Sequence, residues 1–400
     1  MNHATRAVLR HLSAFAVAVM LLAPAVIFAQ GQSFGRATMT VEERYDSNLF
    51  GASQKAVVPP QSDWITQFGP LFETGYDSTT LKLQAHYGFR AEKYRTLTDL
   101  DKLFARQDGG GTLVYQGRRL SASLRGGYLY TQNPTDLNVE TLRILGRSPA
   151  QRVDSAEGLA INLSPVTNLK VDHEFSRETL EGASTSNTNA VHAGVEHKTS
   201  ERTSLRADYR AGLVSFTNVV NLGVGFTTEG EERFHVGTVG VAHAFTAAFN
   251  VEIDGGVRTT SGDLDPEFSA LMRRRMEHGG ITLRYQRTRS TTIGEGASLQ
   301  VQGIGAEVLY TPTRAFALTV TPTRTSSGGT LSRDLVYFLD VQTRFRATRR
   351  WSILGAGRAG RQHHSFPIDD TVYLRSISVS TSVTLGTLER EREEPESEKP

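Results

Sequence analysis

Gly31-Gln32-Ser33-Phe34-Gly35 has the spacing of a serine-hydrolase nucleophile elbow. That chemistry needs a strand before the serine and a helix after it, so that the hydroxyl stands on a strained turn; here the motif immediately follows the expected signal-peptide cleavage site, and that context is missing. Gly355-Ala356-Gly357-Arg358-Ala359-Gly360 matches the glycine spacing of a dinucleotide-binding turn, yet no helix-period segment follows to receive a pyrophosphate. Small residues that let a strand bend or pack closely are the simpler expectation. His363-His364 with Asp369-Asp370, Asp263-Leu264-Asp265 and Asp99-Leu100-Asp101 carry metal-ligand side chains. Each falls in an expected loop, where solvated charge is the default. Cysteine is absent, which excludes disulfides, thiolate metal sites, cysteine nucleophiles and lipoprotein anchors. The chain therefore reads as a non-enzyme without cofactor or metal.

A different chemistry lies in ionic residues at every second position. From Leu81 to Glu92, Leu, Ala, Tyr and Phe alternate with Lys82, Gln84, His86, Gly88, Arg90 and Glu92 over twelve residues, the period of a β-strand with two unlike faces. The same alternation sets apart Lys170, Asp172 and Glu174; Arg206, Asp208 and Arg210; Asn250, Glu252, Asp254 and Arg258; Arg284 and Gln286; and Asp340, Gln342, Arg344 and Arg346. Both signs are interspersed, so these groups can pair across strands.

The elements that must carry them are long strands. Lys+Arg number 44 against Asp+Glu 42, too even a balance for a nucleic-acid footprint. Arg6 and Arg10 precede the uncharged stretch Ala14–Ala29, the form of a secretory signal peptide over residues 1–29. Removing it leaves basic and acidic residues equal at 42 each. No later run approaches the roughly 18 apolar residues of a membrane helix, so any membrane insertion must be by strands.

Polar turns near 78, 118, 165, 200, 247, 277, 312 and 348 alternate with longer connections at 47–61, 93–103, 133–150, 181–187, 217–231, 261–266, 291–298, 327–332 and 364–370. That pattern predicts an all-β fold over residues 30–387: a closed antiparallel transmembrane β-barrel of about 18 strands, tight turns at one end and loops at the other. Phe268–Met276 also fits a helical spacing; read as a helix, it reduces the count to about 16. Closure is obligatory, because a sheet edge in hydrocarbon leaves backbone groups unpaired. Placing Lys82 or Arg90 against lipid would cost roughly 2–4 kcal/mol each near the midplane, so the ionic face is expected to line the pore.

Within the third long connection, Asn138-Val139-Glu140-Thr141-Leu142-Arg143-Ile144-Leu145-Gly146 combines a capping Asn, an apolar patch and a terminal Gly. A short helix is expected there. Asn138, Glu140 and Arg143 are candidate constriction residues if the segment folds inward, and the alternative is a loop packed on the rim.

Tyr45-Asp46-Ser47-Asn48-Leu49-Phe50 resembles the aromatic-Asp-Ser-Asn-aliphatic segment near the mature N-terminus of the β-barrel porins called type 2, shared by outer-membrane barrels of exopolysaccharide-export and PEP-CTERM systems. Thr311-Pro312-Thr313-Arg314-Ala315 with Phe316-Ala317-Leu318 is similar to their turn-plus-strand unit. The resemblance implies an outer-membrane channel passing small hydrophilic solutes by diffusion, or a conduit or accessory for exopolysaccharide. Its partners would be outer-membrane lipid, the outer-membrane insertion machinery and, for the second role, polysaccharide. A non-channel structural or binding β-protein of the envelope is the reading of a different class. Such barrels often end on an aromatic residue, whereas strand-like sequence here ends at Val383-Thr384-Leu385. The acidic and basic residues of 388–400 are expected to form a disordered periplasmic tail.

Overall fold

The computed structural model describes residues 31–386 apart from 139, 222–224, 292–297, 329–332 and 366–368. The expected signal peptide and charged tail lie outside the described residues. The strands are β1 (Gln32–Asp46), β2 (Asp63–Asp77), β3 (Leu81–Tyr94), β4 (Lys102–Gln116), β5 (Leu120–Thr131), β6 (Ala150–Ser164), β7 (Thr167–Leu180), β8 (Ser184–Ser200) and β9 (Thr203–Asn221). They continue as β10 (Gly225–Thr246), β11 (Phe249–Thr260), β12 (Asp263–Met276), β13 (Gly279–Thr291), β14 (Ser298–Thr313), β15 (Phe316–Gly328), β16 (Arg333–Arg346), β17 (Trp351–His364) and β18 (Asp370–Gly386). Each pairs antiparallel with its neighbours in sequence. The sheet closes where β18 meets β1, from Arg36 opposite Gly386 to Asp46 opposite Ser376, so no edge is left open.

Segment 268–276 belongs to strand β12, giving 18 strands. Its helical spacing is incidental, because Phe268, Ala270 and Met272 share one face while Ser269, Leu271 and Arg273 share the other, in register with β11. Three connections are shorter than the sequence pattern suggested. The stretch read as a loop at 217–231 is largely strand, with Thr217 opposite Glu229. The connection at 181–187 contracts to three residues, and that at 261–266 to the pair Ser261-Gly262. Both residues of that pair have positive φ, 51° and 100°, the geometry of a tight hairpin turn. Ser, Thr and Asn look like loop composition, but their alternation continues the ladder.

Large apolar side chains remain exposed around the outer wall, among them Met39, Phe68, Phe72, Leu83, Tyr87, Leu159, Val171, Val239, Ile253 and Val379. A band of this extent would be intolerable in water and suits hydrocarbon. Two carboxylates interrupt it: Glu43, accepting a 2.7 Å bond from the Thr66 hydroxyl, and Glu157, 2.5 Å from His173 Nδ1. The buried apolar clusters lie inside the cylinder, where connections fold against the inner wall.

Candidate functional site

Alternation places the ionic residues on the inner face. On β3, His86 lies 3.8 Å from Asp108, and Arg90 lies 3.8 Å from Glu42. Glu92 accepts bonds from Gln67 at 2.9 Å and from the Tyr94 hydroxyl at 2.9 Å. Lys82 and Gln84 share this face and are exposed.

From β7 to β11 the pairs run across strands. Lys170 lies 3.9 Å from Glu196. His192 bridges Asp172 at 3.2 Å and Asp208 at 2.9 Å. Glu174 pairs with Arg210 at 2.8 Å, and Arg206 reaches both Glu252 and Asp254 at 3.1 and 3.0 Å. Asp340 holds Arg358, while Arg344 and Arg346 stand exposed near the tight-turn end.

Arg258 shares the inner face but is only 4% exposed. It stacks 4.3 Å over the Phe234 ring and bonds Thr260, Glu267 and the Arg289 carbonyl, so it braces the wall. Among the described residues, the inward aromatics Tyr94, Phe216, Phe234 and Phe338 are buried and Phe34 is half-buried, and they offer no open stacking row.

The connection between β5 and β6, residues 132–149, folds into the cylinder. The helix expected from Asn138 onward is not formed among its described residues; Val139 lies outside them. A single 3₁₀ turn occupies Pro134–Leu137, and Asn138 is its C-terminal boundary. Leu142 has φ of 55°, a left-handed conformation that a helix cannot contain. Several contacts outweigh the local helical preference. At the near end, Leu137 packs on Ala150, Leu129 and Leu180, and Arg152 donates to the Leu137 carbonyl at 2.6 Å.

The far end of the loop is fastened to another sector of the wall. Ile144 packs with Val336, Phe338 and Val372, and its backbone N–H donates to the Gln362 side chain at 2.5 Å. Arg143 lies 3.2 Å from Asp334, which also holds His364. Arg147 pairs with Glu92 and lies 5.0 Å over the Tyr94 ring. Gly146 passes so close to Phe50 that a Cβ would meet its carbonyl at 2.5 Å. The 47–62 connection is therefore stacked on the same loop.

Two spaces flank this strap. Glu140 and Leu142 look across a gap of about 420 Å³ at Arg273, Thr282, Arg284, Gln286, Glu307 and Thr323 on β12–β15. A second space of about 610 Å³ lies between Asn138, Glu140 and Thr141 and the wall carrying Arg125, Asp154, Glu174 and Arg210. Asp334 and Gln362 were not singled out by sequence, and Ile144 was read only as part of the apolar patch of segment 138–146. Asp334 and Gln362 share the inner-face parity of Asp340, a signal that was present, but nothing local marks them as the strap's anchor.

His363 and His364 do not converge on one centre: His364 contacts Asp334, and His363 lies 3.5 Å from Asp369. Ser33 lies within β1 opposite Tyr76. The Gly355–Gly360 run lies within β17, where a Cβ on Gly360 would meet the Phe338 ring at 2.4 Å.

No protein-family model matches the chain, and no curated protein sequence does. Among solved structures the chain is similar to Pseudomonas aeruginosa OpdQ, at 12% identity over 89% of this chain and 98% of that one, TM-score 0.46. It is similar to Acinetobacter baumannii OccAB4, at 9% identity over 89% and 99%, TM-score 0.48. A third is the siderophore receptor PirA from Pseudomonas aeruginosa, at 9% identity over 88% and 80%, TM-score 0.46.

Proposed function

We propose that the chain is an outer-membrane channel through which small hydrophilic solutes diffuse past the inward strap, the tighter of its two passages lying between the strap and the β12–β15 wall. The observation that carries this reading is the polar gap of about 420 Å³ facing Glu140, Arg273, Arg284 and Gln286, inside a cylinder whose exterior is apolar. Closure satisfies the backbone in hydrocarbon, and a wall of alternating charges keeps the interior wet. Solutes are sorted there by width and by local charge; the channel does no chemistry on them.

Single-channel recording in planar bilayers tests this. The purified barrel should give discrete conductance steps, and deletion of residues 136–146 should enlarge them. Equal steps from both proteins would remove the strap as the constriction. Absence of steps from both, with insertion verified, would overturn the channel reading itself.

A further inference from the structure

The outer wall of β13–β17 carries a feature that conduction does not use. In the register across these strands, Tyr285 lies opposite Ile304, Ile304 opposite Arg324, Arg324 opposite Tyr337, and Tyr337 opposite Arg361, which lies opposite Tyr373. The next outward positions toward the loops are Arg287, Gln302, Ser326, Leu335 and His363; those on the other side are Leu283, Ala306, Pro322, Leu339 and Ala359. On β18 the flanking positions are Thr371 above and the exposed Arg375 below; Arg375 apart, polar residues predominate above the row and apolar ones below it, as at the water–hydrocarbon boundary, where tyrosines collect.

Arg324 and Arg361 sit on that boundary, exposed. Neither reaches a carboxylate among the described residues. Each lies beside a tyrosine ring, Arg324 5.9 Å from Tyr337 and Arg361 5.9 Å from Tyr373. Directly below Arg324 an apolar furrow of about 480 Å³ runs down the outer wall, lined by Ile253, Met272, Leu283, Ile304 and Pro322, with Arg324 at its lining's edge. The two arginines rise two strands apart, roughly 10 Å, within reach of one anionic group held between them.

We propose that this face binds one phospholipid of net negative charge, an acyl chain lying in the furrow and the phosphate, not neutralised by a choline cation, taken between Arg324 and Arg361. Charge complementarity selects the headgroup: guanidinium forks match phosphate oxygens, and such bonds strengthen where water is scarce. The furrow supplies what a free anion lacks, an apolar surface for the chain. The proposal rests on the membrane-channel reading, because only a wall immersed in lipid meets such a molecule.

The test is native mass spectrometry of the folded barrel in micelles doped with phosphatidylglycerol, with phosphatidylcholine, or with inorganic phosphate. One phosphatidylglycerol should stay bound in preference to phosphatidylcholine, and inorganic phosphate should not displace it. The R324Q/R361Q variant should weaken its retention about tenfold while single-channel conductance stays at the wild-type value. A306W, which fills the furrow, should reduce retention with both arginines in place. Equal retention of the two lipids, wild-type retention by R324Q/R361Q, or displacement by inorganic phosphate would each overturn the lipid site. A barrel that conducts without lipid preference sinks this proposal alone, whereas one that inserts but never conducts sinks the channel reading instead.

Discussion

Asp334 shows how much one buried carboxylate controls. Its side chain is 3% exposed and holds Arg143 from the strap together with His364 from the wall. Removing its charge takes the Asp334 carboxylate from both Arg143 and His364, a costly loss where solvent is scarce. D334N should speed proteolytic cleavage within 138–146 at least several-fold while the barrel stays folded. Cleavage at the wild-type rate would show that Ile144 and Gln362 hold the strap unaided. The charged inner face was legible in the sequence because alternation is local: Lys82, Asp172, Arg206 and Asp340 are assigned by parity alone. Their partners were not legible, since register decides that His192 meets both Asp172 and Asp208. Nor was the strap's destination, because Ile144 and Gln362 are 218 residues apart in the chain.

At the level of strands and loops, the faces of β18 give a direct comparison. Val379 lies near the middle of the strand and points outward, 58% exposed, while Ser378 beside it points inward opposite Arg44. V379R should lower folding stability by roughly 2–4 kcal/mol, the penalty for a base in mid-membrane. S378R should cost far less. Urea titrations of refolding into vesicles will measure both, and a larger penalty for S378R than for V379R would mean that the faces are assigned the wrong way round. Strand number was readable from turn spacing, whereas connection length was not. Thr217 and Glu229 look like loop residues by composition but are ladder partners in β9 and β10. The short helix expected at 138–146 failed for a related reason: anchors at both ends of the segment outweigh the weak preference of so few residues.

Across the molecule, opposite charges are largely matched. Arg206, Arg210, Lys170 and Arg358 each face a carboxylate on the inner wall, and the gap beside the strap holds Glu140 and Glu307 as well as Arg273 and Arg284. Under the channel reading, a salt gradient across a bilayer should give a reversal potential near zero. R284E should move it toward cation preference, because the change falls at the tighter passage. A strongly selective wild-type channel would place the controlling charges elsewhere.

The strap is fastened at both ends and leaves an opening against the sheet on either side, the smaller one facing β12–β15. An aperture bounded by a loop on one side and a wall on the other is a slot set off the cylinder's axis. Under the channel reading, a slot measures the thinnest dimension of whatever enters, so flat or rod-like molecules that travel edge-on or end-on would pass where a compact sphere of equal mass is refused.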